Sequence, residues 1–178
     1  MKKILMTLVS VVFAMTASAQ VYVGGGMGIS TTTVKVKGAD SKDVTSYKFV
    51  PEVGYNFNDK IAAGVAFGWE GSNKGGLKTV EVNPYARYTF VKSQYVNVFV
   101  DGGIGYKHVY GDDSDIDGLY VGFKPGVAVN LSNHLSFVSH IGFIGWEHLK
   151  DNDTKVKTDD WGVDVDGRNI VFGLYYNF

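Results

Sequence analysis

Ile170-Val171-Phe172-Gly173-Leu174-Tyr175-Tyr176-Asn177-Phe178 is the stretch whose reading decides the fold. Stepping back in twos from Phe178, Tyr176, Leu174, Phe172 and Ile170 are all apolar or aromatic, whereas Asn177, Tyr175, Gly173, Val171 and Asn169 are mixed and partly polar. Side chains of a strand alternate between faces, so the segment has one oily face and one wetter face. A soluble protein seldom ends on a large exposed aromatic. A strand that closes a barrel in lipid has a use for one, because its outer face meets hydrocarbon and its end meets an aromatic girdle.

The ending is echoed upstream. Tyr55-Asn56-Phe57, Tyr88-Thr89-Phe90 and Val129-Asn130-Leu131 share its pattern, with Pro51, Pro84 and Pro125 each six residues before the last position. The spacing between echoes lengthens along the chain, which excludes a solenoid of fixed period. It fits every second strand arriving at one edge of one sheet.

The N-terminus reads as a secretory leader. Lys2 and Lys3 supply the positive end, Ile4 to Met15 the apolar run, and Ala17-Ser18-Ala19 the small-residue cleavage site, dividing the chain into residues 1–19 and a single domain over 20–178. The apolar run is shorter than the ~20 residues a spanning helix needs. Removing the two leader lysines leaves 15 basic against 18 acidic side chains, the wrong sign for a nucleic-acid binder. With no cysteine, there is no disulfide and no site for a lipoprotein anchor. No later apolar run reaches spanning length, so a mature chain in a membrane must be there as a barrel.

Eight alternating segments follow one another after residue 20. In the second, Tyr47, Phe49, Pro51, Val53, Tyr55 and Phe57 point one way and Lys48, Glu52, Gly54 and Asn56 the other. The third sets Ile61, Ala63, Val65, Phe67 and Trp69 against Ala62, Gly64, Ala66, Gly68 and Glu70. The fourth, fifth and sixth alternate likewise, with Phe99 an apolar exception on the polar face. The seventh places Leu135, Phe137, Ile141 and Phe143 outward, with Ser139 as a polar blemish among them. Asn58-Asp59-Lys60, Lys92-Ser93-Gln94 and Ser132-Asn133-His134 are short turns at one end. Longer polar loops fall at the other, among them 35–43, 111–118 and about 147–162. The expectation is an all-β, eight-stranded antiparallel up-and-down transmembrane barrel, with aromatic girdles at both rims. The three prolines count against strand interiors, since each removes a ladder hydrogen bond.

These residues, together with Tyr176-Asn177-Phe178, resemble the small outer-membrane β-barrel family of the OmpA/OmpX type across essentially the whole mature length. The resemblance implies that Phe178, with Tyr176 beside it, is part of the signal read by the barrel-assembly machinery. It also implies a bacterial outer membrane, lipids as the surroundings and a monomer without a cofactor. The expectation is a chain that stops at the barrel, without the peptidoglycan-binding domain of full-length OmpA-type proteins.

Two constellations are candidates for chemistry. Glu52, Arg87, Asp101, Lys124 and His140 all fall on the lumen face at similar heights, where charges must pair because an unpaired one in a narrow lumen is costly. They form either a static ion-pair plug or a gate whose re-pairing would open a narrow pore. Asp113, Asp115 and Asp117, with Gly118 at the turn, match the first half of a calcium loop. The twelfth position is Lys124 rather than a bidentate Glu, which excludes an EF-hand; the alternative is a solvated acidic loop tip. Ser139 and His140 point to opposite faces, so no nucleophile–base pair emerges. The sequence therefore leads to a non-enzymatic structural or surface-interaction protein acting through its outer loops. A narrow pore and a lipid-modifying enzyme stand as the alternatives.

Overall fold

The structure, a computed structural model, describes residues 20–34, 42–72, 76–111, 114–164 and 171–178. The expected leader over residues 1–19, most of the expected loop 35–43 and Asp113 lie outside the described residues. The strands are β1 (Val21–Val34), β2 (Lys42–Asn56), β3 (Ile61–Ser72), β4 (Lys78–Lys92), β5 (Val96–Gly111), β6 (Ser114–Asn130), β7 (Leu135–His140), β8 (Phe143–Asp151), β9 (Lys157–Asp164) and β10 (Val171–Asn177).

Each strand from β1 to β6 pairs antiparallel with the next, and β1 pairs with β10, β10 with β7, and β7 with β6, which closes the ring. β7 and β8 both lie on β6, one above the other, and β9 continues above β10. Ten segments therefore make eight barrel strands, as the alternation predicts. The terminal segment closes the barrel through Tyr22↔Asn177 to Met27↔Phe172, and the Phe178 N–H donates to the Val21 carbonyl at 3.0 Å.

The faces are inverted relative to a soluble protein. Met27, Ile29, Phe67, Trp69, Phe123 and Leu174 are exposed on the outside, Ile29 at 80%, whereas Glu52 and Asp101 are buried inside. Lipid supplies the solvent for the outer face, and the lumen supplies the core. Phe99, the apolar exception, points into that lumen and is 2% exposed. The short turns owe their tightness to side-chain acceptors. Asn58 Oδ1 takes the N–H groups of Lys60 and Ile61, and Ser132 Oγ those of His134 and Leu135.

The prolines sit in strands because the ladder opens around each. The β2–β3 register skips Val50 and Pro51, and the β4–β5 register skips Asn83 and Pro84. At the second gap the Asn83 side-chain amide donates to the Ile104 carbonyl at 2.8 Å, standing in for the N–H that Pro84 lacks. The third gap, beside Pro125, holds a bulge. Gly126 pairs with His140, but Phe123 pairs with Ile144, so β6 spends two residues where the seventh strand spends three. Gly142 takes a φ of 79°, open to glycine at little cost.

That bulge corrects one expectation. Phe143 does not face lipid; the extra residue flips the parity, and its ring packs edge-on against Tyr120 inside the lumen with centroids 5.6 Å apart. Two loop assignments also change. The span 147–162 is largely a hairpin, β8–β9, with its turn at 152–156, and β6 begins already at Ser114 within the expected loop 111–118. Both polar stretches keep β geometry because their backbones continue the pairing of the strands beneath them, a tertiary gain that outweighs poor local β propensity.

Candidate functional site

Near the short-turn end the lumen holds one layer of side chains centred on Arg87. Its Nε and Nη2 donate to the two oxygens of Asp101 at 2.7 and 2.8 Å, a bidentate fork. Nη2 also reaches Glu52 Oε1 at 3.3 Å, and His140 Nε2 lies 2.8 Å from Asp101 Oδ2. The remaining capacity of Glu52 is filled by tyrosines: Tyr175 donates to Oε2 at 2.5 Å, and Tyr85 donates to Oε1. Among the described residues, no buried side-chain nitrogen or oxygen lacks a partner.

The guanidinium lies in an aromatic box. The Phe99 ring centroid is 4.0 Å from Arg87 Cζ, and the rings of Tyr22, Tyr85 and Tyr175 are 5.4 to 5.6 Å away. These rings fit because each faces a glycine. Tyr22 pairs with Gly54, Tyr175 with Gly24, Tyr85 with Gly64 and Phe99 with Gly126, all as direct cross-strand partners. A Cβ on Gly24 would sit 1.9 Å from the Tyr175 ring, and one on Gly64 would sit 2.4 Å from the Tyr85 hydroxyl. These four inward glycines are seats for aromatics, not empty lumen. Pairing of inward tyrosines with inward glycines across strands is the signal in the sequence that identifies this layer, and it becomes readable only once the register is known.

Four of the five lumen charges singled out from the sequence, Glu52, Arg87, Asp101 and His140, thus meet in one cluster. Lys124 does not join it. Asp101 and Lys124 are register partners, but both oxygens of Asp101 are already taken by Arg87 and His140. Lys124 leans the other way, with Nζ 3.6 Å from Glu81, 3.4 Å from Asn83 Oδ1 and 3.2 Å from the Tyr120 hydroxyl. Lys48 approaches the same Glu81 at 3.9 Å, and Lys107 pairs with Glu147 at 2.6 Å nearer the outer end. These pairs line a cavity of about 590 Å³ whose inner end is lined by Glu52, Tyr85, Asp101 and His140 of the Arg87 layer.

At the outer rim, β5 and β6 bring His108, Asp115 and Asp117 together, with Tyr110 stacked on the His108 ring at 5.6 Å between centroids. His108 Nδ1 is 3.0 Å from Asp117 Oδ1 and 3.8 Å from Asp115 Oδ1. Tyr106 donates to Asp117 at 2.5 Å, and the Asn152 amide donates to Asp115 at 3.0 Å and to Asp117 at 2.8 Å. The Tyr106 and Asn152 hydrogen bonds, with the His108 ring beside them, hold the Asp117 carboxyl down at about 2. Neither His108 nor Asn152 stands out in the sequence as a partner of this loop; the second lies on a different hairpin.

The aromatic rims are paired as well. Tyr55 stands edge-on to Phe57, Tyr176 edge-on to Phe178, and Tyr47 packs on Trp69 with centroids 5.4 Å apart. At the short-turn end the His134 ring stacks on Tyr176, and its Nδ1 lies 2.9 Å from the Asn177 carbonyl.

Residues 4–178 match the model of the outer membrane protein beta-barrel domain. No curated protein matches the chain. Among solved structures the fold is similar to that of Neisserial surface protein A, at 15% identity over 90% of this chain and 98% of that one, with a TM-score of 0.55. It is also similar to the outer membrane protein OprG from Pseudomonas aeruginosa, at 16% identity over 90% and 96% of the two chains, with a TM-score of 0.52.

Proposed function

We propose that this chain, which belongs to the outer membrane protein beta-barrel domain family, acts without catalysis as a structural and surface-interaction protein of the bacterial outer membrane. The observation that carries this reading is the Arg87 layer. A bidentate guanidinium, two buried carboxylates and four aromatic rings fill the cross-section of a barrel whose eight strands leave little free width. Above that floor the chain invests in hairpins. β5–β6 and β8–β9 continue paired beyond the apolar band, which offers rigid polar edges to a partner at the surface.

The narrower kinship with OmpA/OmpX-type barrels, cleavage after Ala19, and recognition of Tyr176 and Phe178 by the assembly machinery belong to the same proposal. Their support is the leader-like N-terminus, the terminal aromatic pair and the place of β10 as the closing strand. Deleting residues 35–43 is expected to leave barrel assembly intact and to reduce attachment of cells displaying the protein to a protein-coated surface. Unchanged attachment would remove the role given to the first outer loop.

The test of the lumen is single-channel recording of the refolded mature chain in a planar bilayer. Silence with demonstrably inserted protein is expected. The cavity above the floor favours a second reading, a narrow pore separated from the other side by one layer of side chains. Repeated discrete steps that change with Glu52→Gln would put that reading in place of the first.

A further inference from the structure

We propose that His108, Asp115 and Asp117 form a site for a first-row divalent transition-metal ion, of the zinc or manganese kind, at the outer rim, with Asn152 as a fourth ligand from the neighbouring hairpin. One ligand atom from each of the first three lies within 4.8 Å of the others. Ligands held about 2.0–2.2 Å from a central ion stand about 3–4 Å apart, so small side-chain adjustments complete the set.

Acidic residues at a loop tip would not by themselves make a site. Here an imidazole nitrogen is aimed between two carboxylates that have no lysine or arginine partner among the described residues. Two negative groups thus converge on one nitrogen without a permanent counter-charge. Lys150, the register partner of Asp117 on β8, makes no ion pair with it among the described residues. The set is also cross-linked. Asn152 bonds both carboxylates through its amide, and its backbone N–H donates to the Asp115 carbonyl at 2.8 Å. Turning that amide by half a revolution presents its oxygen where the nitrogen now stands, an orientation that two carboxylates would repel and a cation would favour. Tyr106 orients Asp117 from outside the set, the role of a supporting hydrogen bond around a metal.

The donor set decides the class of ion. Calcium takes six to eight oxygens, whereas an imidazole beside carboxylates suits the first-row metals. The strand pairing puts His108 directly opposite Asp117, which adds to the aspartates an imidazole that a calcium loop does not use. A bound ion would tie the β5–β6 tip to the β8–β9 turn. This inference is independent of the surface role proposed above.

The test uses the full mature chain refolded in detergent and stripped of metal, titrated calorimetrically with zinc chloride and, separately, calcium chloride. Heat-modifiable gel mobility would verify folding of every variant. One zinc per chain is expected, bound at least tenfold more tightly than calcium, with His108→Ala and Asp117→Asn each weakening it tenfold or more. Zinc should also slow hydrogen exchange in both hairpin tips. His148→Ala serves as a control, since His148 pairs with Asp159 elsewhere on the rim at 2.8 Å, and it should bind as the parent does. Absence of saturable zinc binding, equal affinity for calcium, or parental affinity in His108→Ala would each overturn the proposal. Should His108→Ala fail to fold, Asn152→Ala and the exchange pattern of the parent chain carry the test.

Discussion

The floor and the vestibule of the lumen both pair cations with carboxylates, the floor through Arg87 and the vestibule through lysines, and they pack those pairs differently. In the floor, Arg87 meets Asp101 at 2.7 and 2.8 Å, and its side chain is 11% exposed. In the vestibule, Lys48 and Lys124 share Glu81 at 3.9 and 3.6 Å, with side chains 37% and 30% exposed. Aromatic side chains account for the contrast. Rings seated on glycines exclude water around Arg87 and leave its charges only one another. Above them no such set closes the cross-section, and water can share the work of solvation. Around Arg87, packing removes the alternative to pairing; nearer the outer end Lys107 and Glu147 stay paired at 2.6 Å with their side chains partly exposed.

The contrast is open to direct attack, beginning with the largest effect. Arg87→Ala strands two buried carboxylates and should cost about 3–5 kcal/mol of stability, read as a lowered urea midpoint in lipid or detergent by tryptophan fluorescence. A loss below ~1 kcal/mol would mean that water already reaches the floor. Next, Gly64→Val pushes side-chain atoms into the Tyr85 ring and should cost about 1–3 kcal/mol. The same change at Gly28, where a Cβ meets its nearest neighbour at an ordinary 3.9 Å, should cost clearly less. Lys124→Met in the vestibule is expected to stay within about 1 kcal/mol of the parent, since its pairs are long and partly wet. An effect as large as that of Arg87→Ala would erase the distinction between the two layers.

The smallest effect concerns pH at the rim. The Asp117 carboxyl is held at about 2, below its ordinary 3.8, so its contribution is fully present above ~4 and is lost as the pH falls towards 2. Amide exchange at the tip of the β5–β6 hairpin should rise over that window in the parent chain. Asp117→Asn should remove the pH dependence without changing the barrel below.

Much of this was legible in one dimension. Alternation of period two placed Phe49, Phe67 and Leu174 outside and Glu52, Arg87 and Asp101 inside, because a pleated strand has no other way to dispose its side chains. Three of the polar turns could be read from Asn58, Ser93 and Ser132, whose oxygens satisfy nearby N–H groups. What escaped was whatever depends on which strand lies opposite which residue. Phe143 faces inward owing to one extra residue at Gly142, and a single inserted residue leaves no mark on composition. Lys124 deserts Asp101 because other side chains reach it first. His108 and Asn152 meet Asp117 because two hairpins stand side by side.

The sequence alone determined the class of solvent on each face. An oily set and a charged set at strict alternate positions, with no long apolar run, can be satisfied together by a closed barrel in lipid. Only the tertiary structure decided which charges pair. Side-chain period is a property of the backbone and is written locally, whereas partnership is set by register, and register is a relation between strands far apart in the chain.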